Sequence, residues 1–232
     1  MALRVLTWNL FHGRALPPRN ADLIDQFAER IAAWPWDVAL LQEVPPWWPP
    51  ELAAASAAQQ RTALTSRNQL LPLRRAVARR WPELVKSGGG GANAILVRGR
   101  RGAADGAPAI VAHAQRRLCL WPERRVVHAV RDARGTWFAN LHATVHDDAQ
   151  ARREIAAARA AALRWAAGAP LVIGGDFNVR DPGLPGFAHA GGVKVDHVFA
   201  AGGLAPVAAI ERLERGDLSD HAPLLATVGK SA

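Results

Sequence analysis

Short apolar runs that stop on a polar residue recur along this chain. Residues 4–8 form one and end beside Asn9, residues 37–42 form another and close on Glu43, and residues 136–141 lead to His142. Leu171, Val172 and Ile173 lead through two glycines to Asp176. Runs this brief, bounded by turn residues, read as buried strands. Further strands are expected over residues 94–97, 124–131, 193–199 and 222–228, with 124–131 and 136–142 forming an antiparallel hairpin across the turn at 132–135. Helical spacing fills the gaps. Leu23, Ile24, Phe27, Ile31 and Trp34 make an apolar stripe that Asn20 can cap and Pro35 ends. An alanine-rich helix starting at Asp147 or Asp148 reaches about Gly168, with Ile155, Leu163 and Trp165 turned inward.

Strand, helix, strand with a polar residue at the same end of each strand is an α/β pattern in which a sheet edge collects functional groups. Residues 45–50 enclose Trp47 and Trp48 between prolines, which predicts a stiff loop rather than a central strand. Two adjacent tryptophans there are substrate-contact candidates, able to stack on a base or a lipid, although packing onto the domain body is the commoner fate. Residues 67–80 read as a helix carrying Arg74, Arg75, Arg79 and Arg80, and residues 88–91 as a flexible glycine loop ahead of Asn93. No repeat and no change of composition interrupts the chain, so a single domain over 1–228 with a tail at 229–232 is expected.

Half of the 232 residues are hydrophobic, enough for a large core. No apolar run approaches the ~20 residues of a membrane span, and the first ten residues are too polar for a signal peptide, so a soluble cytoplasmic monomer is expected. Cys119 is the only cysteine, which excludes an internal disulfide and a multi-cysteine zinc site; its apolar neighbours suggest an inert buried thiol. The formal charge of +9 suits a polyanion such as DNA. That inference is discounted because only Lys86, Lys194 and Lys230 are lysines and tyrosine is absent, a pattern that also fits compositional bias toward arginine.

The strand ends carry the chemistry. Asp176 and Asn178 stand two apart, so an extended backbone through Phe177 would aim both to one face, while a plain Asp/Asn turn is the alternative. Asn9, Glu43, His142, Asp176, Asn178, Asp196, Asp220 and His221 all fall where an apolar run starts or stops, which scattered surface residues would seldom do. Carboxylates with few competing nitrogens suit Mg²⁺ or Mn²⁺, and the histidines add acid–base capacity.

Thr7-Trp8-Asn9, Leu41-Gln42-Glu43, Asn140-Leu141-His142, Gly175-Asp176-Phe177-Asn178, Val195-Asp196-His197 and Ser219-Asp220-His221 follow one another across nearly the whole chain. In that order they resemble the endonuclease/exonuclease/phosphatase superfamily. The resemblance implies a four-layer α/β sandwich, two packed mixed β-sheets flanked by helices, and Mg²⁺-dependent phosphoester cleavage by in-line attack of water, with Mn²⁺ as a substitute. It implies Glu43 as principal metal ligand with Asn9 and Asp220 nearby, and Asp176 and Asn178 on the attacking water. It further implies His221 facing the phosphate with Asp196 on its far nitrogen. His142 falls where abasic-site endonucleases have a tyrosine and the deoxyribonuclease, sphingomyelinase and phosphatase branches have histidine, which turns the reading away from abasic-site repair. Asn93 matches loosely a position that contacts phosphate or supports that histidine. A phosphoester is thereby the expected substrate, with DNA, a small molecule or a lipid headgroup as its carrier; a non-catalytic binding protein on the same fold is disfavoured because each expected catalytic position is filled.

Overall fold

In the computed structural model, residues 2–66, 68–99, 107–121 and 123–230 are described. Arg67, at the expected start of the basic helix, and residues 231–232 of the expected tail lie outside them. The elements are β1 (Leu3–Asn9), α1 (Ile24–Ala33), β2 (Val38–Val44), α2 (Pro49–Ala55), β3 (Ala58–Leu64), α3 (Leu71–Arg80), α4 (Pro82–Val85), β4 (Ala92–Arg98), β5 (Ile110–Cys119) and β6 (Arg125–Asp132). They continue with β7 (Trp137–His142), α5 (Asp148–Ala166), β8 (Leu171–Asp176), β9 (Ala188–Val193), β10 (Asp196–Ala201), β11 (Leu204–Pro206), β12 (Glu211–Arg212) and β13 (Leu224–Lys230).

The strands form two mixed sheets. One is seven-stranded, in the order β11-β13-β1-β2-β4-β3 with β12 beside β13, and the other is six-stranded, in the order β5-β6-β7-β8-β10-β9. Period-two alternation sorts the side chains of β2: Ala39 and Leu41 pack toward the helices, Val38 and Leu40 toward the other sheet. Three cores result. Trp8, Phe27, Ile31, Trp48 and Leu52 fill the space between the first sheet and α1 and α2. Val5, Leu40, Ile95, Phe138, Val172 and Val198 join the sheets, and Ile155, Ala158, Ala162, Ile173 and Phe199 seat α5 on the second. Three cores between helix, sheet, sheet and helix make the four-layer sandwich.

Several local expectations change. Asn20 does not cap α1: its N-cap is Leu23, without a side-chain cap, and Asp22 accepts from Ile24 N at 3.3 Å. The 45–50 stretch is not all loop, because Pro49 starts α2 at the position where a proline loses no hydrogen bond. On α5, Asp147 caps Gln150 N at 2.9 Å as expected, but Leu163 is exposed and the buried stripe is mostly alanine, which lets the helix lie close on its sheet. Asn93 lies within β4 rather than ahead of it, and the last strand runs on to Lys230. Cys119 is half-buried, and its Sγ donates to Glu123 O. No described helix is long and apolar enough to cross a membrane.

Glycine is required at Gly175. There φ is +142°, and a Cβ would stand 1.9 Å from Leu141 O on the parallel neighbour β7. This is how β8 closes on β7 while delivering Asp176 to its carboxyl end.

The buried imidazole of His128 on β6 makes stability acid-sensitive. Burial, reinforced by His113 at 3.4 Å, pushes its pKa down to about 3, so it is neutral in the fold and charges readily only when the chain unfolds. A depressed histidine contributes stability above its ordinary pKa of 6.5 and loses it as pH falls toward 3, at about 1.4 kcal/mol per pH unit. Urea unfolding between pH 7 and pH 5 should therefore show a slope shallower by about that amount in His128→Leu than in the parent. Identical slopes would assign the acid sensitivity elsewhere.

Candidate active site

Parallel pairing places the polar strand ends together. In the first sheet β1 and β2 run parallel, with Asn9 opposite Gln42; in the second β7 and β8 do, with His142 opposite Asp176. Both pairs end on the same side of the sandwich, and antiparallel β10 begins there, Asp196 opposite Asp176.

Glu43 owes its direction to a bulge. The β2–β4 register shifts between Leu41 and Val44, and Glu43 takes the left-handed conformation with φ +49°. The preceding Gln42 stays between the sheets and donates to Asn140 Oδ1 at 2.8 Å, whereas Glu43 turns outward to His12 Nε2, 3.2 Å away, and His142 Nε2, 3.8 Å away. Phe11, His12, Asn178 and Ser219 are also left-handed, each at a cost of about 1–2 kcal/mol for a residue with a Cβ. Strain of this kind concentrates where geometry is dictated by a site. Local bonds hold it: Asn178 N donates to Asp176 Oδ1 at 3.0 Å, and Ser219 bridges Asn9 O and His221 N through its hydroxyl at 2.7 and 3.0 Å.

Asp176 is almost fully buried and fixed on both oxygens, Oδ1 by Asn178 N and Oδ2 by Asn9 Nδ2 at 3.0 Å. Burial and the neighbouring Asp196 push its pKa up to about 7. Across from it, His221 Nδ1 lies 2.8 Å from Asp196 Oδ2, with Nε2 3.8 Å from Asp176 Oδ2. Burial opposes a charge on His221, yet the bond to Asp196 and the fields of Asp196, Asp176 and Asp220 outweigh it and raise the pKa to about 9. His221 is therefore favoured as an imidazolium that donates from Nδ1 to Asp196 and keeps its Nε2–H uncommitted.

His142 is the opposite case. Arg125 Nη1 stands 3.0 Å from its Nδ1, and a guanidinium only donates, so Nδ1 accepts and the ring proton sits on Nε2. Burial and Arg125 hold the pKa of His142 well below the usual histidine range. The second sheet thus presents a neutral N–H donor from His142, and the loop before β13 a charged one from His221.

The site gathers nearly every residue expected of it: Asn9, Glu43, His142, Asp176, Asn178, Asp196, Asp220 and His221. Asn178 commits its Nδ2 to Ala143 O at 2.9 Å. Asn93 is buried between the sheets, donating to Val126 O at 3.3 Å, and the group that supports His142 is Arg125. Trp48 is a core residue packed against Phe27 with the rings tilted, while half-buried Trp47 lines a cleft with His12 and Lys86. Arg125 and His12 escape sequence reading. One arginine among many carries no mark, and His12 follows a strand by three residues in an irregular turn.

The donor set suits a hard cation. Asp176, Asp196 and His221 place ligand-type atoms within 4.8 Å of one another, but the 2.8 Å bond between Asp196 and His221 already satisfies two of these groups, leaving Asp196 Oδ1 unpaired. Glu43 is partly exposed in the cleft and Asp220 is exposed, whereas Asp176 is buried. Burial pushes the pKa of Glu43 up, against the opposing fields of His221 and Arg125, with Asp220 adding repulsion. Four carboxylates converge against the imidazolium of His221 and the guanidinium of Arg125, and a divalent cation would redress the balance.

The profile of the Endonuclease/Exonuclease/phosphatase family matches residues 6–221. Among solved structures, an endonuclease/exonuclease/phosphatase from Bacteroides vulgatus superposes with a TM-score of 0.69 at 15% identity, covering 100% of both chains. One from Beutenbergia cavernae gives 0.68 at 19% identity, covering 99% of this chain and 72% of its own. TDP2 from Caenorhabditis elegans gives 0.66 at 15% identity, covering 98% of this chain and 74% of its own. These likenesses establish the fold. No curated protein matches the sequence.

Proposed function

Since this chain belongs to the endonuclease/exonuclease/phosphatase family, whose members hydrolyse phosphoester bonds, we propose that it is a Mg²⁺-dependent phosphoester hydrolase acting by in-line attack of water. The single observation that carries this reading is the carboxylate Asp176, fixed on both oxygens between two imidazole N–H groups of opposite charge state, His142 Nε2 at 3.7 Å and His221 Nε2 at 3.8 Å.

Glu43, Asp220 and Asn9 would hold the cation, with Mn²⁺ as a substitute. When bound, a divalent cation neutralises phosphate charge and activates water. Asp176 orients the attacking water and takes its proton, while Asn178 accepts from that water through its carbonyl or donates its second Nδ2–H to a phosphate oxygen. His142 donates its Nε2–H to a non-bridging oxygen without changing charge. His221, kept cationic by Asp196, donates to the oxygen on which charge develops. Arg125 positions His142 through Nη1 while its Nη2 pairs with Glu123 at 3.0 Å.

Hydrolysis of bis(p-nitrophenyl) phosphate, a soluble diester, should be stimulated by Mg²⁺, abolished by chelator and restored by Mg²⁺ or Mn²⁺. Turnover indifferent to chelation would overturn the reading. Supercoiled plasmid, mononucleotides, inositol phosphates and sphingomyelin in the same assay separate the substrate classes.

A further inference from the structure

Twelve large hydrophobic side chains are exposed among the described residues, and seven of them belong to three segments that lead into one cleft. That cleft contains Glu43 and His142, and three of its wall residues are Thr65, Ser87 and Glu123. Leu64, 38% exposed, precedes Thr65; Leu70, Leu73, Trp81 and Leu84, exposed by 73, 60, 45 and 78%, lie on the segment leading to Ser87. Leu120 and Trp121, exposed by 65 and 85%, follow β5 and precede Glu123 in the chain. The segments are joined at the rim, where Arg124 N donates to Ser66 Oγ at 2.6 Å and Arg74 donates to Gly88 O.

Packing does not account for these side chains. Neither α3 nor α4 buries a single residue, so Leu73 and Leu84 contribute little to the fold. The charge around them has one sign. Arg75, Arg79, Arg80, Lys86, Arg116, Arg117 and Arg124 are exposed on the same segments. The two acids there, Glu83 and Glu123, are partly buried and paired with Arg14 and Arg125. Arg75 and Arg79 also face acids, Glu51 at 3.6 Å and Asp22 at 2.9 Å, which leaves Arg80, Lys86 and the β5–β6 cations for an outside partner.

We propose that this rim docks on an anionic lipid surface, so that the phosphoester taken by the cleft is one carried in a lipid headgroup. The inference rests on the hydrolase reading above for the second half only. Leucines and a nearly bare tryptophan surrounded by cations match an interface whose depth is apolar and whose surface is anionic. A nucleic acid would use the cations and could stack on Trp81 or Trp121, but it offers nothing to Leu70, Leu73 and Leu84.

Cosedimentation with vesicles tests it without any need for turnover. The chain should bind vesicles of phosphatidylcholine with 30% phosphatidylserine and fail to bind phosphatidylcholine alone. Leu84→Asp and Trp121→Asp should each weaken binding by about tenfold or more, from loss of one buried side chain. Arg80→Glu with Arg117→Glu should weaken it further. All variants should hydrolyse soluble bis(p-nitrophenyl) phosphate at the parental rate, since none of these residues touches the site. Absent vesicle binding, or binding unchanged in the leucine and tryptophan variants, would overturn the proposal. Binding of single-stranded DNA that falls in the same variants, with vesicles ignored, would overturn it in favour of a nucleic-acid surface. Vesicle binding by a protein inactive on the soluble diester would leave the surface in place and refute the hydrolase reading instead.

Discussion

Asp196→Asn and His221→Ala should each reduce kcat by about a thousandfold, within the range for loss of a positioned proton donor, and the double variant should be scarcely worse than His221→Ala alone. The pair is joined at 2.8 Å: Asp196 fixes the ring through Nδ1 and, with the fields of Asp176 and Asp220, favours the charged form. Without the carboxylate, burial would be opposed only by the fields of Asp176 and Asp220, and the Nδ1 hydrogen bond that orients the ring would be lost. Groups that act only together are not additive. Losses that multiply in the double variant would show that His221 is held by something else. A readout independent of rate is the ring itself: the ¹⁵N resonances of His221 should report an imidazolium at pH 7 in the parent and a titration shifted to lower pH in Asp196→Asn.

Glu43→Gln should lower Mg²⁺-dependent turnover by about a thousandfold, since losing a principal ligand removes several kcal/mol of transition-state stabilisation. The amide keeps the size of the side chain but not the charge that a hard cation requires. Stability should move the other way. Burial already disfavours the Glu43 carboxylate, so in chelator the variant's Tm should equal or exceed the parent's, while the rise in Tm on adding Mg²⁺ should disappear. Parental turnover together with a parental Mg²⁺ response would remove Glu43 from the metal site. A lower Tm in chelator would show that its contacts with His12 and His142 outweigh its burial.

The opposed states of His142 and His221 show a division of labour on one carboxylate. Asp176 lies within 4 Å of both Nε2 atoms, yet one ring is held by a guanidinium and the other by a carboxylate. On His142 the Nδ1 partner adds to what burial already does, and on His221 it opposes burial together with Asp176 and Asp220.

The strands legible in the sequence are the central ones. Strands β1, β2, β7 and β8 are covered on both faces, so they appear as short apolar runs with abrupt ends. Strands β3, β5 and β9 escape it for the opposite reason: all three lie at sheet edges, where one face meets water, and sequences such as Ala-Gln-Gln-Arg-Thr-Ala-Leu carry no apolar run. The same contrast separates Trp48 from Trp81. Both read as tryptophans near prolines, and only packing of α2 against Phe27 buries the first and leaves the second on the rim.

By itself the sequence determined the α/β alternation, the polar groups at strand ends and, through six motifs in order, the family. Those features are local: an apolar run, a glycine pair and a carboxylate can be read without knowing what lies opposite. The tertiary structure alone decided how the ends meet and what each group becomes there. The β2 bulge aims Glu43 outward, the Cβ-free Gly175 lets β8 approach β7, and the β6–β7 hairpin brings Arg125 to His142. Proton positions and charge states depend on burial and on a partner up to a hundred residues or more away, and no local pattern records either.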